Sequence, residues 1–310
     1  MSGIKTMRDA MIARILDLMA TDERLFFLSA DMGAPLLDTL RESYPKRFIN
    51  VGIAEQNLIN VAAGLAMEGC CVYTLAIAPF YLRAFEQIRN NLSIAARFNP
   101  LNVNMMGIGG GVSYDISGPS HHALEDLATL RSLPDVAVIS PADWLAASQL
   151  PDFAQTAPYP KYIRLDGKGH EPVTTQPMVW RQGFQTLQQG ARAALLTTGF
   201  MTQKGQKLVA ELGEADIGHI DLFQFTRDLD EQALAQTLRG YGRLVTLHEG
   251  YLGRGGLDTL IDTLCRQHGL SMPVTHLGFP LAHQFLFAPR EHLHAACGMG
   301  IEDVKTALLA

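Results

Sequence analysis

Cysteine is scarce. The 310 residues hold four, Cys70, Cys71, Cys265 and Cys297, at spacings that suggest neither a dense disulfide framework nor a zinc site. Charge is scarce as well: Asp, Glu, Lys and Arg make up 18% of the chain and the net charge is −6. No basic stripe exists to neutralise a phosphate backbone or an anionic lipid surface, so nucleic acid and membranes are poor partners. The longest apolar stretch, residues 69–82, is shorter than the ~20 residues a membrane span needs and is broken by Pro79. The opening residues MSGIKT lack the apolar core of a signal peptide, which reads as a protein of the reducing cytoplasm. What remains is a chain with 47% hydrophobic residues, 28 glycines and 15 prolines. At ~150 residues per domain it is long enough for two buried cores.

Strand-length apolar runs alternate with amphipathic helix-length stretches from end to end, the signature of an α/β protein with parallel sheets and crossover helices. Thr6 and Asp9 form a capping box ahead of the apolar face Met11, Ile12, Ile15, Leu16 and Met19. Strands are expected at 25–30, 48–51, 71–75, 101–106, 136–140 and 159–165, with helices near 54–67, 80–98, 123–133 and 142–154. Residues 166–180, DGKGHEPVTTQPMVW, have linker composition and no sustained period. A smaller α/β unit follows, with strands at 193–197, 217–222, 243–248 and 274–277 and helices near 202–212, 230–239, 255–267 and 302–309. The expected boundaries are a first domain at 1–170, a linker at 171–182 and a second domain at 183–310.

Three stretches could carry chemistry. RFINVGIAEQN, residues 47–57, runs from a strand through a turn at Gly52 into a helix, and Glu55 shares a face there with Leu58, Ile59 and Ala62. A carboxylate on an inward stripe must pair, cap or take up a proton; it serves either catalysis or the helix dipole. Residues 80–89 offer aromatic rings for stacking or for core packing. The loop GIGGGVSYDISGPSHH, residues 107–122, crosses from a strand to a helix, and its glycines fit neither the dinucleotide nor the Walker spacing. Its paired His121 and His122 could exchange protons with a substrate near pH 7, or cap the helix and face solvent. His292 and His294 read as an ordinary surface pair, and Cys70 and Cys71 as strand core.

Taken together, LSADMG (28–33), RFINVGIAEQN (47–57), AAGLA (62–66), RAFEQIR (83–89), GPSH (118–121), LEDLA (124–128), RSLP (131–134), SPAD (140–143) and GGL (255–257) resemble the C-terminal half of the transketolase family. The resemblance implies two doubly wound α/β domains, a pyrimidine-binding domain followed by the family's C-terminal domain. It implies thiamine diphosphate as cofactor. Glu55 matches the glutamate that hydrogen-bonds the aminopyrimidine ring and favours its imino tautomer, and Phe80 matches the aromatic stacked on that ring. Asp31, Ile77 and Gln87 fall at cofactor-binding positions. His121 matches a histidine beside the reacting carbons, Arg8 an arginine near the substrate phosphate, and Ser117 stands at a substrate position. Glu55 and His121 are thus the expected catalytic pair.

The family holds the diphosphate through a divalent cation such as Mg2+, bound by a domain with a Gly-Asp-Gly motif, and that motif does not occur here. No metal ligands are expected on this chain. A partner subunit carrying that domain must supply them, most simply in an α2β2 heterotetramer. Ser117, Gly109 and Gly167 replace an acidic residue, a histidine and a phosphate-binding arginine, and Ile77 replaces a phenylalanine. These departures suggest a ketose other than the usual pentose phosphates, such as apulose 4-phosphate or sulfofructose, with Arg164, Lys168 and His170 as substitute anion contacts. The expected function is transfer of a two-carbon glycolaldehyde unit from a ketose to an aldose. Two other readings stay open: a decarboxylating subunit like 1-deoxyxylulose-5-phosphate synthase or the pyruvate dehydrogenase beta subunit, and a non-enzymatic interaction subunit.

Overall fold

The computed structural model describes residues 4–310, which form two α/β sheets in succession. The first unit runs α1 (Met7–Met19), β1 (Leu25–Ser29), α2 (Pro35–Ser43), β2 (Phe48–Asn50), α3 (Glu55–Met67), β3 (Cys71–Ile77), α4 (Phe85–Gln87), β4 (Val103–Ile108), α5 (Asp126–Arg131), β5 (Ala137–Ile139), α6 (Trp144–Thr156) and β6 (Lys161–Leu165). Its six strands are all parallel, in the order β2-β1-β3-β4-β6-β5. Helices on both faces bury both sides of each central strand, which is why these strands read as continuous apolar runs rather than alternating ones. The Thr6 hydroxyl caps α1 by accepting from the Asp9 amide at 3.1 Å. The expected reciprocal half of a capping box is absent, because the Asp9 carboxylate accepts from Arg8 Nε at 2.8 Å instead.

The helix expected at 80–98 is not one helix. A 3-10 turn at Ala78–Ala84 leads into α4, then a π-helical turn at Ile88–Ile94 and a last 3-10 turn at Ala95–Arg97. Pro79 at its start and the need to turn Phe80 and Arg83 toward the strand ends break the α-helical hydrogen bonding. Among the described residues, α2 and a helix at Arg290–Ala296 were not anticipated, being nine and seven residues long, respectively.

The second unit runs β7 (Phe184–Gln188), β8 (Ala193–Thr197), α7 (Phe200–Leu212), β9 (Ile217–Leu222), α8 (Glu231–Leu238), β10 (Leu244–Tyr251), α9 (Leu257–Gln267), β11 (Val274–Phe279), α10 (Arg290–Ala296) and α11 (Ile301–Leu309). Its sheet, ordered β11-β10-β8-β9-β7, is mixed, since β7 lies antiparallel on β9. That edge strand escapes a hydrophobicity reading because FQTLQ buries only its first residue. No helix among the described residues is long and apolar enough to cross a membrane.

The two sheets share one apolar cluster, in which Val138 and Tyr162 of the first meet Leu196, Phe225 and Leu257 of the second. Backbone bonds close the seam: Ser140 N donates to Phe223 O at 2.9 Å and Phe225 N to Val138 O at 3.0 Å. Beside it, buried Arg290 of α10 forms an ion pair with Asp166, just beyond β6, at 2.6 Å, and pairs through two nitrogens with Glu249 of β10. Its guanidinium covers the Phe200 ring at 3.6 Å, and His294 Nε2 lies 2.7 Å from Glu249. Burial acts against both carboxylates, but Arg290 outweighs it and holds them below the ordinary carboxylate range. Their contribution is therefore present above about pH 4 and fades as the pH falls below it. Arg290→Gln leaves two buried charges uncompensated and should cost about 3–5 kcal/mol in urea unfolding at pH 7. The deficit should shrink at pH 3, where the carboxylates protonate in the variant.

Candidate active site

In the first sheet the chain leaves β1 to one side for β2 and returns on the other side as β3, which opens a crevice at the carboxyl ends of β1 and β3. Asp31 follows β1 there in a left-handed conformation with φ 54°. Asn50, at the end of β2, holds it: Asn50 Nδ2 donates to the Asp31 carboxylate at 2.9 Å, and the Asp31 amide donates to Asn50 Oδ1 at 3.1 Å. The same Asn50 oxygen accepts from Gly52 N at 3.0 Å, fixing the turn that delivers Glu55. A strained non-glycine residue locked by a neighbouring strand is what a preorganised site requires.

Glu55 opens α3 and is 3% exposed, on the same face as Leu58, Ile59 and Ala62. Its carboxylate has one cationic neighbour, Arg83 Nη1 at 3.5 Å, from a side chain 65% exposed. That contact is too long and too wet to compensate a buried charge. Phe80, three residues beyond Ile77 at the end of β3, meets His121 edge-on at a centroid distance of 5.6 Å. His121 in turn meets Tyr114 edge-on at 6.4 Å, and its Nδ1 lies 3.0 Å from Ser120 Oγ. Asp31, Glu55, Phe80 and His121 are thus delivered by the loops at one edge of the sheet. Ile77 closes β3 half-buried, Gln87 in α4 has a buried side-chain oxygen with no partner, Arg8 lies in the first turn of α1, and Ser117 is exposed.

The glycine-rich loop owes its composition to what lies beneath it. A Cβ on Gly111 would stand 2.0 Å from Oε2 of Glu249, one on Gly110 2.7 Å from Arg164, and one on Gly109 2.3 Å from the Tyr114 ring. The glycines therefore let backbone cross the ion cluster and an aromatic ring, not a phosphate. Asp115 anchors the far end of the loop by accepting from Lys168 Nζ at 2.6 Å and from the Arg290 amide at 3.0 Å. His122 is buried with Nε2 3.0 Å from the Asp115 carbonyl, so it braces the loop and does not cap a helix.

Expectations for four residues need correction. Arg164, Lys168 and His170 are not free anion contacts: Arg164 pairs with Asp126 at 2.8 Å, Lys168 with Asp115 at 2.6 Å, and His170 faces Asp166 at 3.4 Å. His294 is fully buried against Glu249 and is no surface residue. Tyr114, Asn50 and Arg83 border the site without having been singled out. Asn50 sits inside the motif that led to Glu55; Tyr114 carried no signal beyond two nearby glycines.

Comparison with known proteins places the chain in one family. Residues 5–168 match the pyrimidine-binding domain of transketolase and residues 183–304 the transketolase C-terminal domain. An apulose-4-phosphate transketolase subunit from Actinobacillus succinogenes is 26% identical over 315 aligned positions, covering 100% of this chain and 99% of that protein. The 6-deoxy-6-sulfo-D-fructose transketolase subunit SqwH of a Clostridium species is 29% identical over 88% of this chain and 84% of its own length. The 1-deoxy-D-xylulose-5-phosphate synthase of Chromohalobacter salexigens is also 29% identical, but this chain spans only 44% of it, about half its length. Among solved structures, a split-gene transketolase described as an inactive beta4 tetramer superposes with a TM-score of 0.85 at 28% identity, covering 99% of this chain and 97% of that one. Leishmania mexicana transketolase shares the fold with a TM-score of 0.77 at 18% identity, matching 99% of this chain and 45% of its own.

An under-compensated buried carboxylate is a stability cost. Replacing Glu55 by Gln removes the charge while keeping the shape, and should stabilise the isolated chain by about 1 kcal/mol. A helix-dipole role predicts the opposite sign, a loss of about 0.3–1 kcal/mol. Chemical denaturation of the two proteins side by side distinguishes them.

Proposed function

Since this chain belongs to the transketolase family, we propose that it is the C-terminal subunit of a two-subunit transketolase that moves a two-carbon ketol unit from a ketose to an aldose. The carrying observation is Glu55, a buried carboxylate at a sheet-edge crevice with Phe80 nearby and no close protein partner. These residues fit the aminopyrimidine half of thiamine diphosphate: a buried acid held only by a long contact to Arg83 for a ring nitrogen, an aromatic face for the ring, and the unpartnered Gln87 oxygen in the following segment. When bound, the cofactor supplies the nucleophilic carbon and electron sink that allow a ketose to be cleaved beside its carbonyl.

In this reading Glu55 holds the pyrimidine and shares a proton with it at its carboxyl oxygen, inside a crevice whose burial strengthens that hydrogen bond. Phe80 fixes the plane of the ring, and Asp31, kept in place by Asn50, and Ile77 line the crevice beside it. His121, between Phe80 and Tyr114, orients the sugar hydroxyls next to the reacting carbons. Arg8 and Ser117 lie along the sugar's path. The proposed domains are 1–170 and 183–310, joined by a linker at 171–182.

The diphosphate and its Mg2+ fall to a partner subunit, since the Gly-Asp-Gly motif does not occur in this sequence. The full-length relationship to proteins named as transketolase subunits, and the resemblance to a split-gene chain described as inactive when assembled with itself, support this division of labour. The proposed assembly is an α2β2 heterotetramer with twofold symmetry, working in the cytoplasm. Relatives named for apulose 4-phosphate and sulfofructose support a donor other than a common pentose phosphate. Synthase relatives favour the decarboxylating alternative less, because this chain covers about half of each.

The isolated chain should bind thiamine diphosphate poorly by calorimetry and transfer nothing; mixed with its partner it should bind tightly and require Mg2+. Tight binding by the chain alone overturns the division of labour. In the reconstituted complex Glu55→Gln should lower turnover by about 10²–10⁴-fold with assembly unchanged. Carbon dioxide release from pyruvate in place of ketol transfer would move the chain to the decarboxylating branch.

A further inference from the structure

Tyr114 stands in a slot made by two glycines. A Cβ on Gly109 would lie 2.3 Å from its Cε2 and 2.4 Å from its Cδ2, and one on Gly167 would lie 3.1 Å from its Cε1. One glycine directly follows β4 and the other lies two residues beyond β6, so the ring is gripped along both edges between neighbouring strand ends. Gly109 is also at φ 90°, where a side chain would be strained in any case. The ring is therefore confined on both edges: Gly109 admits no side chain while it is there, and at Gly167 one would fit only if the ring shifted by a few tenths of an ångström.

The ring's location gives it a task. Contacts run in a row from Glu55 to Arg83, whose 3-10 turn also carries Phe80, then to His121, then to Tyr114. Tyr114 closes that row at the end remote from Glu55. Only half-buried, its hydroxyl is influenced by Arg8 and Asp166 as nearby charges, with no protein hydrogen bond among the described residues. Burial raises this hydroxyl above its usual value, with Arg8 opposing, so at neutral pH it is a phenol and a donor.

The surrounding cations have other engagements. Arg8 pairs with Asp9 at 2.8 Å, Lys168 with Asp115 at 2.6 Å, and Arg164 with Asp126 at 2.8 Å, while Arg290 is held by Glu249 and Asp166. A phosphate or sulfonate placed here would meet cations each already paired with a carboxylate 2.6–2.8 Å away. A neutral hydroxyl needs no free cation and finds a confined phenol.

We propose that Tyr114 is the specificity-determining residue of the donor site, hydrogen-bonding a hydroxyl on the uncharged chain end of the ketose. This rests on the ketol-transfer reading above. It separates this chain from relatives whose named donors carry an anionic group.

The test uses the reconstituted two-subunit enzyme with three donors: D-xylulose, D-xylulose 5-phosphate and β-hydroxypyruvate, which has the same ketol group and no polyol chain. The wild type should show a higher kcat/KM for D-xylulose than for its 5-phosphate. Tyr114→Phe keeps the ring in its slot and removes the hydroxyl. It should raise KM for D-xylulose about three- to tenfold, the worth of one hydrogen bond, while leaving kcat, the hydroxypyruvate kinetics and the melting temperature unchanged. A residue that merely fills space would give Tyr114→Phe a KM within twofold of wild type. That result, a preference for the 5-phosphate, or refusal of D-xylulose by an enzyme that turns over hydroxypyruvate overturns the proposal. Loss of the function reading itself looks different: no donor, hydroxypyruvate included, then supports Glu55-dependent transfer.

Discussion

The loop that brings Tyr114 and His121 to the crevice rests on the buried pairing of Arg290 with Glu249 and Asp166. Arg290 comes from the second unit, as does Glu249, and Asp166 from the end of the first. The Arg290 backbone amide also donates to Asp115, and Arg164 donates to the carbonyls of Ala123 and Glu249. One guanidinium and its neighbours thus fix both ends of the loop that carries Tyr114 and His121. A buried ion pair is a weak source of stability on average, because desolvation consumes most of its attraction. Its value here is geometric: the charges can be satisfied in one arrangement, and that arrangement sets the loop.

Much of the fold was legible because its physics is local or periodic. Doubly covered parallel strands announce themselves as unbroken apolar runs, and the strands at 193–197 and 217–222 coincide with those observed. What was hidden depends on tertiary context. β7 is an edge strand with one buried residue, so its sequence looks like linker. The 80–98 segment has helical spacing, yet Pro79 and the demand of the crevice divide it into four short turns. His294 appears superficial in sequence because its partner, Glu249, is 45 residues away.

The candidate site divides the same way. Glu55 could be singled out because a carboxylate on an apolar helical stripe violates the pattern around it, and violations of local rules concentrate where function is carried. Lys168 and His170 could be proposed as anion contacts only because sequence shows charges without their counter-charges. In space Asp115 pairs with Lys168, and His170 faces Asp166. Tyr114 left no mark in sequence, since its significance lies in two glycines at 109 and 167 that only the folded sheet brings to either side of one ring.

The crossing of Gly110 and Gly111 over Arg164 and Glu249 has a consequence for how this architecture can be divided and recombined. The loop belongs to the first unit and Glu249 to the second, yet Gly111 leaves no space for a side chain beside that carboxylate. The two units therefore do not behave as interchangeable modules. A hybrid that joins this first unit to a second unit with a smaller or bulkier residue at position 249 inherits a hole or a collision under the loop. A change at 110, 111, 249 or 290 strains or empties its neighbours among the other three, so the cluster has to be exchanged as one piece although its residues come from both sheets' units.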